Sequence, residues 1–254
     1  MPPNYSWPVL GITGSDPSFR DDDGSANPGV TAALEAFAAG QGSERAALTA
    51  LACSRLIVPV VAVPAGQAET GGAETGGAEV GGAETGRAEK ATEMAMPTLI
   101  GLDGRRAIPV FTCLDSMRRW QQGARPVPAA ARQVWHAAVE DSCAVVIDVA
   151  GPIRIAVEGA RLAALARGEA VPAPWADPDV REVVEDVLEG ELTVATFDLR
   201  PGDADRDLVI ALTFAPGSAG HHVAGLATEV GSAVMTRLGG RLRRGVAIWL
   251  GSGT

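Results

Sequence analysis

Apolar residues recur at helical spacing from residue 28 onward. Asn27-Pro28 predicts a helix start, because asparagine caps free backbone amides and proline fits the first helical position. The apolar positions that follow lie three or four residues apart and would form one buried face: Val30, Ala33, Leu34 and Phe37. Gly40 ends this helix, and Ser43 is predicted to cap a second one.

Short apolar runs rich in β-branched residues follow these helices. Residues 55–62 (RLIVPVVA) predict a buried strand, and Pro59 favours an edge position or a bulge because proline lacks a ladder donor. Residues 93–101 and 106–112 predict two further strands. The Asp103-Gly104 pair between them predicts a type I′ hairpin turn.

Helices and strands alternate less regularly in the rest of the chain. A short helix containing Trp120 and a longer helix starting near Pro128 are predicted, followed by strands at 143–149 and 153–157 and a helix from Gly159. The C-terminal elements are predicted in the order helix, strand, strand, helix, strand, at residues 178–189, 191–199, 207–214, 222–238 and 246–250.

Long helices therefore alternate with hairpins rather than with single strands. This order predicts the α+β class, with mixed, largely antiparallel sheets, helices packed on them, and two domains. The predicted parts are a flexible N-terminal tail (1–27), an N-terminal α+β domain (28–168), a proline-rich linker (169–178) and a small C-terminal α-β-β-α-β domain (179–254).

A five-residue repeat interrupts the first predicted domain. Ala68-Glu69-Thr70-Gly71-Gly72 recurs with small changes up to Gly86, and its period matches neither a helix nor a strand face. Paired glycines are entropically costly to order, and the repeat offers few apolar side chains to offset that cost. Residues 65–91 are therefore predicted to be a disordered insertion that returns to the same sheet, and deleting 71–86 is expected to leave the melting temperature nearly unchanged.

The composition limits the classes of function. Apolar residues make up 46% of the chain and charged residues 20%, which is ordinary for a globular protein. The formal net charge of −10 disfavours nucleic-acid binding, because phosphate backbones repel an acidic protein. The one basic cluster, Arg237 to Arg244, is interpreted as cations near a helix C-terminus. No signal peptide or membrane span is visible in the sequence, which predicts a cytoplasmic protein without membrane contact.

Motifs that carry chemistry are missing from the sequence. Cys53, Cys113 and Cys143 are far apart and form no CxxC pair, so buried free thiols are expected. Only Cys113, just before a helix start, has a hint of a reactive setting. The sequence has no Walker A loop, no dinucleotide fingerprint and no nucleophile elbow. We therefore expect no catalytic residues, no metal site and no cofactor.

The order of several segments resembles one known family. Residues 55–62 (RLIVPVVA), 94–105 (MAMPTLIGLDGR) and 108–120 (IPVFTCLDSMRRW) resemble the N-terminal domain of the SseB family, and residues 17–24 resemble its actinobacterial members. Asp148-Val149 stands where many members carry Asn-Pro. The resemblance covers roughly residues 16–168, with a weaker likeness to the C-terminal domain beyond. It implies no defined reaction and no catalytic residues.

These observations favour a non-enzymatic, cytoplasmic binding or regulatory protein with a protein partner. The candidate contact surface combines aromatic and arginine side chains, which are enriched at interface hot spots: Arg105, Arg106, Phe111, Arg118, Arg119 and Trp120. The competing interpretation is that the two aromatic residues belong to the core and the arginines are merely solvated. The alternative function is a sensor or enzyme for an amino-acid-like metabolite, using a cleft between the two domains. A homodimer through residues 246–250 is a further hypothesis.

Overall fold

A computed structural model describes residues 17–64, 92–216 and 220–252. The α-helices in these residues are α1 (Pro28–Ala38), α2 (Glu44–Ala52), α3 (Leu114–Trp120), α4 (Ala131–Glu140), α5 (Gly159–Arg167), α6 (Pro178–Leu188) and α7 (Gly220–Leu238). The strands are β1 (Arg55–Pro64), β2 (Thr92–Ala95), β3 (Leu99–Ile100), β4 (Arg106–Val110), β5 (Arg125–Ala130), β6 (Ala144–Ile147), β7 (Ile155–Val157), β8 (Val194–Pro201), β9 (Leu208–Phe214) and β10 (Val246–Ser252).

The strands form three sheets, with the orders β2-β1-β5, β3-β4-β6-β7 and β10-β9-β8. Most neighbouring strands are antiparallel, whereas β4 with β6 and β10 with β9 are parallel. Helices and mixed sheets together confirm the predicted α+β class.

Internal contacts divide the chain into two compact units, and both are discontinuous in sequence. The first unit comprises Met1–Ser25 and Arg55–Ala156, and the second comprises Ala26–Ser54 and Val157–Thr254. Helices α1 and α2 thus belong with the C-terminal elements by contact. This division differs from the boundaries predicted at residues 168 and 178, and the independence of the predicted domains stays a prediction.

In the first unit, β1 is a central strand. β5 pairs with residues 55–60 and β2 only with residues 61–64, so Pro59 itself has a ladder partner on one side only, as the predicted edge position requires. The register explains how the proline is accommodated. Pro59 lies opposite Pro126, so two residues without a donor share one position of the ladder, and pairing with β2 begins only at Val61.

β1 and β2 flank the predicted insertion. Val61 pairs with Ala95 and Pro64 with Thr92, so the strands on both sides of the insertion belong to one sheet, as predicted. The predicted disorder of residues 65–91 itself lies outside the described residues.

The N-terminal residues that are described do not match the predicted flexible tail. Arg55 fixes them, because its guanidinium donates to the Asp22 carboxylate at 2.7 Å and to the carbonyl of Ser25. Gly24 is buried, and its carbonyl accepts from the backbone N–H of Leu114 at 2.9 Å. Residues 17–25, which we call the strap, therefore lie against β1 and the start of α3. The polar composition of the strap predicts a flexible tail. The strap is ordered because Asp22 binds Arg55, which lies 33 positions further along the chain.

The second unit has its own core between the three-stranded sheet and helices α6 and α7. Its buried side chains include residues of β9 and of the inner faces of the two helices: Leu208, Ile210, Leu212, Phe214, Val180, Val184, Val230 and Val234. Helices α6 and α7 supply the helical side of this core, and the predicted order helix, strand, strand, helix, strand is confirmed.

Candidate functional site

The structure separates the predicted contact residues into three places. Arg105 and Arg106 lie at the start of β4, Phe111 follows its end, and Arg118 to Trp120 form the last turn of α3. The five residues of β4 alone span about 13 Å between the first and last Cα atoms. The six residues therefore do not form one continuous patch.

Phe111 belongs to the core. Its side chain is fully buried and packs with Ile57 and Met117, so it cannot contact a partner. Trp120 is half-buried and stacks on Phe111, with ring centroids 5.6 Å apart and planes tilted by 34°. The tryptophan thus mainly anchors the end of α3, in line with the core interpretation of these two residues.

Arg118 and Arg119 are exposed on α3. Arg118 lies 3.9 Å from the Asp115 carboxylate, a solvent-exposed pair that contributes little to stability. Arg119 lies close enough to Asp148 to affect its ionisation. Both side chains are exposed, and their role as contacts stays a prediction.

A buried aspartate that sequence reasoning missed fixes the loop between β4 and α3. Asp148 follows β6, and its carboxylate accepts from the Thr112 backbone N–H at 3.0 Å and from the Thr112 hydroxyl at 2.7 Å. Its backbone is left-handed, with φ of 49°, a conformation that Asp and Asn tolerate better than most residues. The sequence does carry one signal at this position, because Asp148 stands where the segment it resembles carries asparagine. Sequence analysis assigns no function to that difference.

Burial opposes the ionisation of Asp148. Burial raises the pKa of its carboxyl group above the ordinary value of 3.8, while hydrogen bonds from Thr112 and Ser116 and the charge of Arg119 lower it less. Because β4 and β6 are parallel, Thr112 and Asp148 both follow carboxyl ends of strands at the same edge of the sheet, where ligands bind in many α/β proteins. We call Thr112, Cys113, Ser116 and Asp148 the strand-end cluster.

Of the three cysteines, one is buried as expected, one is half-buried and one is exposed. Cys143 is buried, and burial raises the pKa of its thiol. Cys113 is half-buried, and its sulfur accepts from the backbone N–H of Ser116 at 3.5 Å. Cys53 is exposed at the end of α2, so the expectation of a buried thiol is wrong there.

The β3–β4 hairpin ends in a turn of a different type from the one predicted. The N–H of Gly104 donates to the carbonyl of Gly101 at 3.0 Å, and the N–H of Gly101 donates to the carbonyl of Arg105 at 2.8 Å. Gly104 is left-handed, with φ of 79°, whereas Asp103 has no positive φ, which a type I′ turn would require. The prediction of type I′ is therefore wrong, and the turn is a three-residue loop with a glycine bulge.

Asp103 selects this turn by its side chain. One carboxylate oxygen accepts from the Arg105 N–H at 3.1 Å and the other from the Arg105 guanidinium at 2.5 Å. These bonds hold the pKa of the Asp103 carboxyl below its usual value. Leu102, between the two glycines, is left completely exposed.

Exposed apolar side chains and arginines lie on this hairpin and on the end of α4, which Arg106 joins by a hydrogen bond. Ile100 is exposed and lies opposite Arg106 in the β3–β4 register. Arg106 donates to the carbonyl of Asp141 at 2.5 Å, two residues after the exposed Val139 of α4. We define the hairpin-end surface as Ile100, Leu102, Arg105, Arg106 and Val139. Its mixture of large apolar residues and arginine is typical of protein contact sites.

Other kinds of site find little support in the described part of the chain. Within residues 17–64, 92–216 and 220–252, no three His, Cys, Asp or Glu side chains are grouped to hold a metal ion. No helix in the same residues is long and apolar enough to cross a bilayer.

The fold defines an α+β protein, and its β3–β4 hairpin exposes the apolar side chains of Ile100 and Leu102. A model of the SseB protein N-terminal domain matches residues 30–164, which is more than half of the 254-residue chain. The chain belongs to the SseB family. No curated protein and no solved structure matches it. The actinobacterial type and the likeness of the C-terminal part to this family stay predictions.

Proposed function

We propose that this SseB-family protein is a non-enzymatic, cytoplasmic binding or regulatory protein, and that a protein partner contacts the hairpin-end surface. The observation that carries the proposal is Leu102, a large apolar side chain that is completely exposed at a turn held by four hydrogen bonds. A preorganised contact loses little conformational entropy on binding, and this favours affinity.

The surrounding side chains fit the same role. Ile100 and Val139 add apolar surface, and Arg106 is already held against the end of α4 by its bond to Asp141. Arg105 is mostly exposed and is paired with Asp103, and an arginine at this position can add a charge-assisted hydrogen bond to an acceptor on the partner. Arg118 and Arg119 on α3 form a second contact region in this proposal.

A matched pair of exposed leucines tests the proposal. Leu102 and Leu192 are both almost fully exposed, at 112% and 92%, but only Leu102 belongs to the hairpin-end surface. A photo-cross-linking residue is placed at position 102 or 192 of the full chain in the native cells. We expect a discrete protein adduct from position 102 that is absent from position 192 and is lost when Arg106 is changed to Glu.

The control variant Arg132→Glu, on an exposed position of α4, should keep the adduct. Equal adducts from both leucines, or none from position 102, would contradict a partner at this surface. Fractionation of the same cells tests the cytoplasmic location, which a membrane-bound or secreted protein would contradict.

The alternative, a sensor or enzyme for an amino-acid-like metabolite, is favoured by the strand-end cluster. It gathers a half-buried thiol, two hydroxyl groups and a buried carboxylate at the carboxyl ends of two parallel strands. Thermal-shift measurements over the amino acids test it. Stabilisation of the wild-type protein that is lost in Ser116→Ala would support this function, and no shift with any amino acid would count against it.

A further inference from the structure

The last strand of the second unit is an edge strand. β10 pairs with β9 on one side only, and within the described residues no strand pairs with its other side. Seven residues, Val246–Ser252, therefore present backbone donors and acceptors to whatever lies beside them. An open edge of this kind is a template for another strand.

The two edges of this sheet differ in how they are protected. The opposite edge, β8, carries Asp198, Arg200 and Pro201, and its register shifts between Val194 and Thr196. Charges, proline and a bulge each hinder the addition of a further strand. β10 has the sequence VAIWLGS, with no charge and no proline, and its pairing with β9 is regular over all seven residues.

Apolar side chains are exposed on both faces of the β10 edge. Trp249 is 51% exposed and Leu250 is 45% exposed, and successive strand residues point to opposite faces. On the helical face, Ile248 lies close to Gly231 of α7, and Met235, one turn further along α7, is also exposed. The open edge is thus flanked by apolar surface above and below the sheet.

We infer that β10 pairs antiparallel with β10 of a second copy of this chain, forming a continuous six-stranded sheet across a twofold axis. The charges favour this occupant. β10 itself is uncharged, and Arg200, whose guanidinium lies 5.5 Å from the centre of the Trp249 ring, is neutralised by its own Asp198 at 2.9 Å. The paired strands therefore bring no charge of their own to the contact, and identical strands satisfy each other's hydrogen bonds in the antiparallel direction.

The oligomeric state of the full chain tests this inference. By light scattering at about 50 µM, where a weak dimer would form, we expect twice the chain mass of 26.0 kDa. The double variant Trp249→Lys, Leu250→Lys should be monomeric, because lysine on an edge opposes strand addition. The control Thr196→Lys, at an exposed position of the protected edge β8, should remain dimeric.

A second measurement uses the unaltered protein and so does not depend on a variant folding. Amide hydrogen exchange in residues 246–252 should slow as the protein concentration rises, whereas exchange in β8 should not change. A monomeric mass at every concentration would overturn the inference. It would also be overturned by a dimer that survives the double lysine variant, or by a different protein bound along β10.

Discussion

Asp148 gives the sharpest prediction, because one carboxylate holds the loop that leads from β4 into α3. Its two oxygens accept from the buried N–H and hydroxyl of Thr112 at 3.0 and 2.7 Å. In Asp148→Ala both donors lose their acceptor. Each lost hydrogen bond to a charged group costs about 1.5–3 kcal/mol, and relief of the buried charge offsets part of the sum, so we expect a loss of about 3 kcal/mol.

Asp148→Asn is the matched control. Its amide oxygen still accepts from the Thr112 N–H, its amide nitrogen donates to the Thr112 hydroxyl, and asparagine tolerates the left-handed backbone at least as well. We expect its stability to stay within about 1 kcal/mol of the wild-type protein at acidic pH. In urea, the free energy of unfolding falls by about 2–3 kcal/mol per molar, so the loss expected for Asp148→Ala should lower the unfolding midpoint by about 1–1.5 M.

The pH dependence supplies an independent check. Because burial raises the folded-state pKa of Asp148 above 3.8, the folded protein binds more protons than the unfolded chain between these two values. The wild-type protein therefore loses stability as pH rises through that window, and Asp148→Asn does not. The free energy of unfolding of the asparagine variant should therefore rise relative to that of the wild-type protein as the pH increases above 3.8. The reasoning is refuted if that difference is constant or reversed, or if asparagine is as damaging as alanine.

Further predictions concern a buried ion pair and a buried glycine. Glu44→Ala should lower the free energy of unfolding by about 3 kcal/mol, because the carboxylate contacts the buried Arg161 at 2.5 Å. Glu44→Gln should lower it less. Asp186→Ala breaks an exposed pair and should lower it by under about 1 kcal/mol in the same urea unfolding. Gly24→Ala should cost clearly more than Gly40→Ala, although both glycines are left-handed at φ of 73° and 70°. A Cβ on Gly24 would lie 2.2 Å from a leucine of α3, whereas nothing lies within 4 Å at Gly40, so equal midpoints would show that the strap is not packed there.

The elements that local chemistry specifies were predictable. Asn27 and Ser43 each cap the helix predicted to begin after them, and each side chain accepts from a backbone N–H in the first turn. These interactions join residues two or three positions apart, so they are visible in any short window of sequence. The strands of the second unit were found for a similar reason, because one face of each is clearly apolar.

β5 shows where this reasoning fails. Residues 125–130 (RPVPAA) contain two prolines, and sequence assigned a helix starting near Pro128. The segment is a strand because β1, about seventy residues earlier in the chain, pairs with it from Arg55 to Val60. No local signal encodes that partner, and strand propensity depends strongly on the neighbouring strand.

The candidate site divides in the same way. Sequence identified the hairpin and its arginines, but it could not show that Phe111 is buried while Leu102 is exposed. It also overlooked Asp148, since the importance of this residue depends on Thr112, 36 positions earlier.

By itself, the sequence determined the helices with their caps, the hairpin, the α+β class and the resemblance to the SseB family, because these depend on near neighbours and on the order of segments. Only the tertiary structure decided which strands pair, that α1 and α2 join the C-terminal unit, that the strap is held by Arg55, and that β10 is left at an edge. Each of these rests on contacts between residues far apart in the chain, and such contacts form only when the core brings them together.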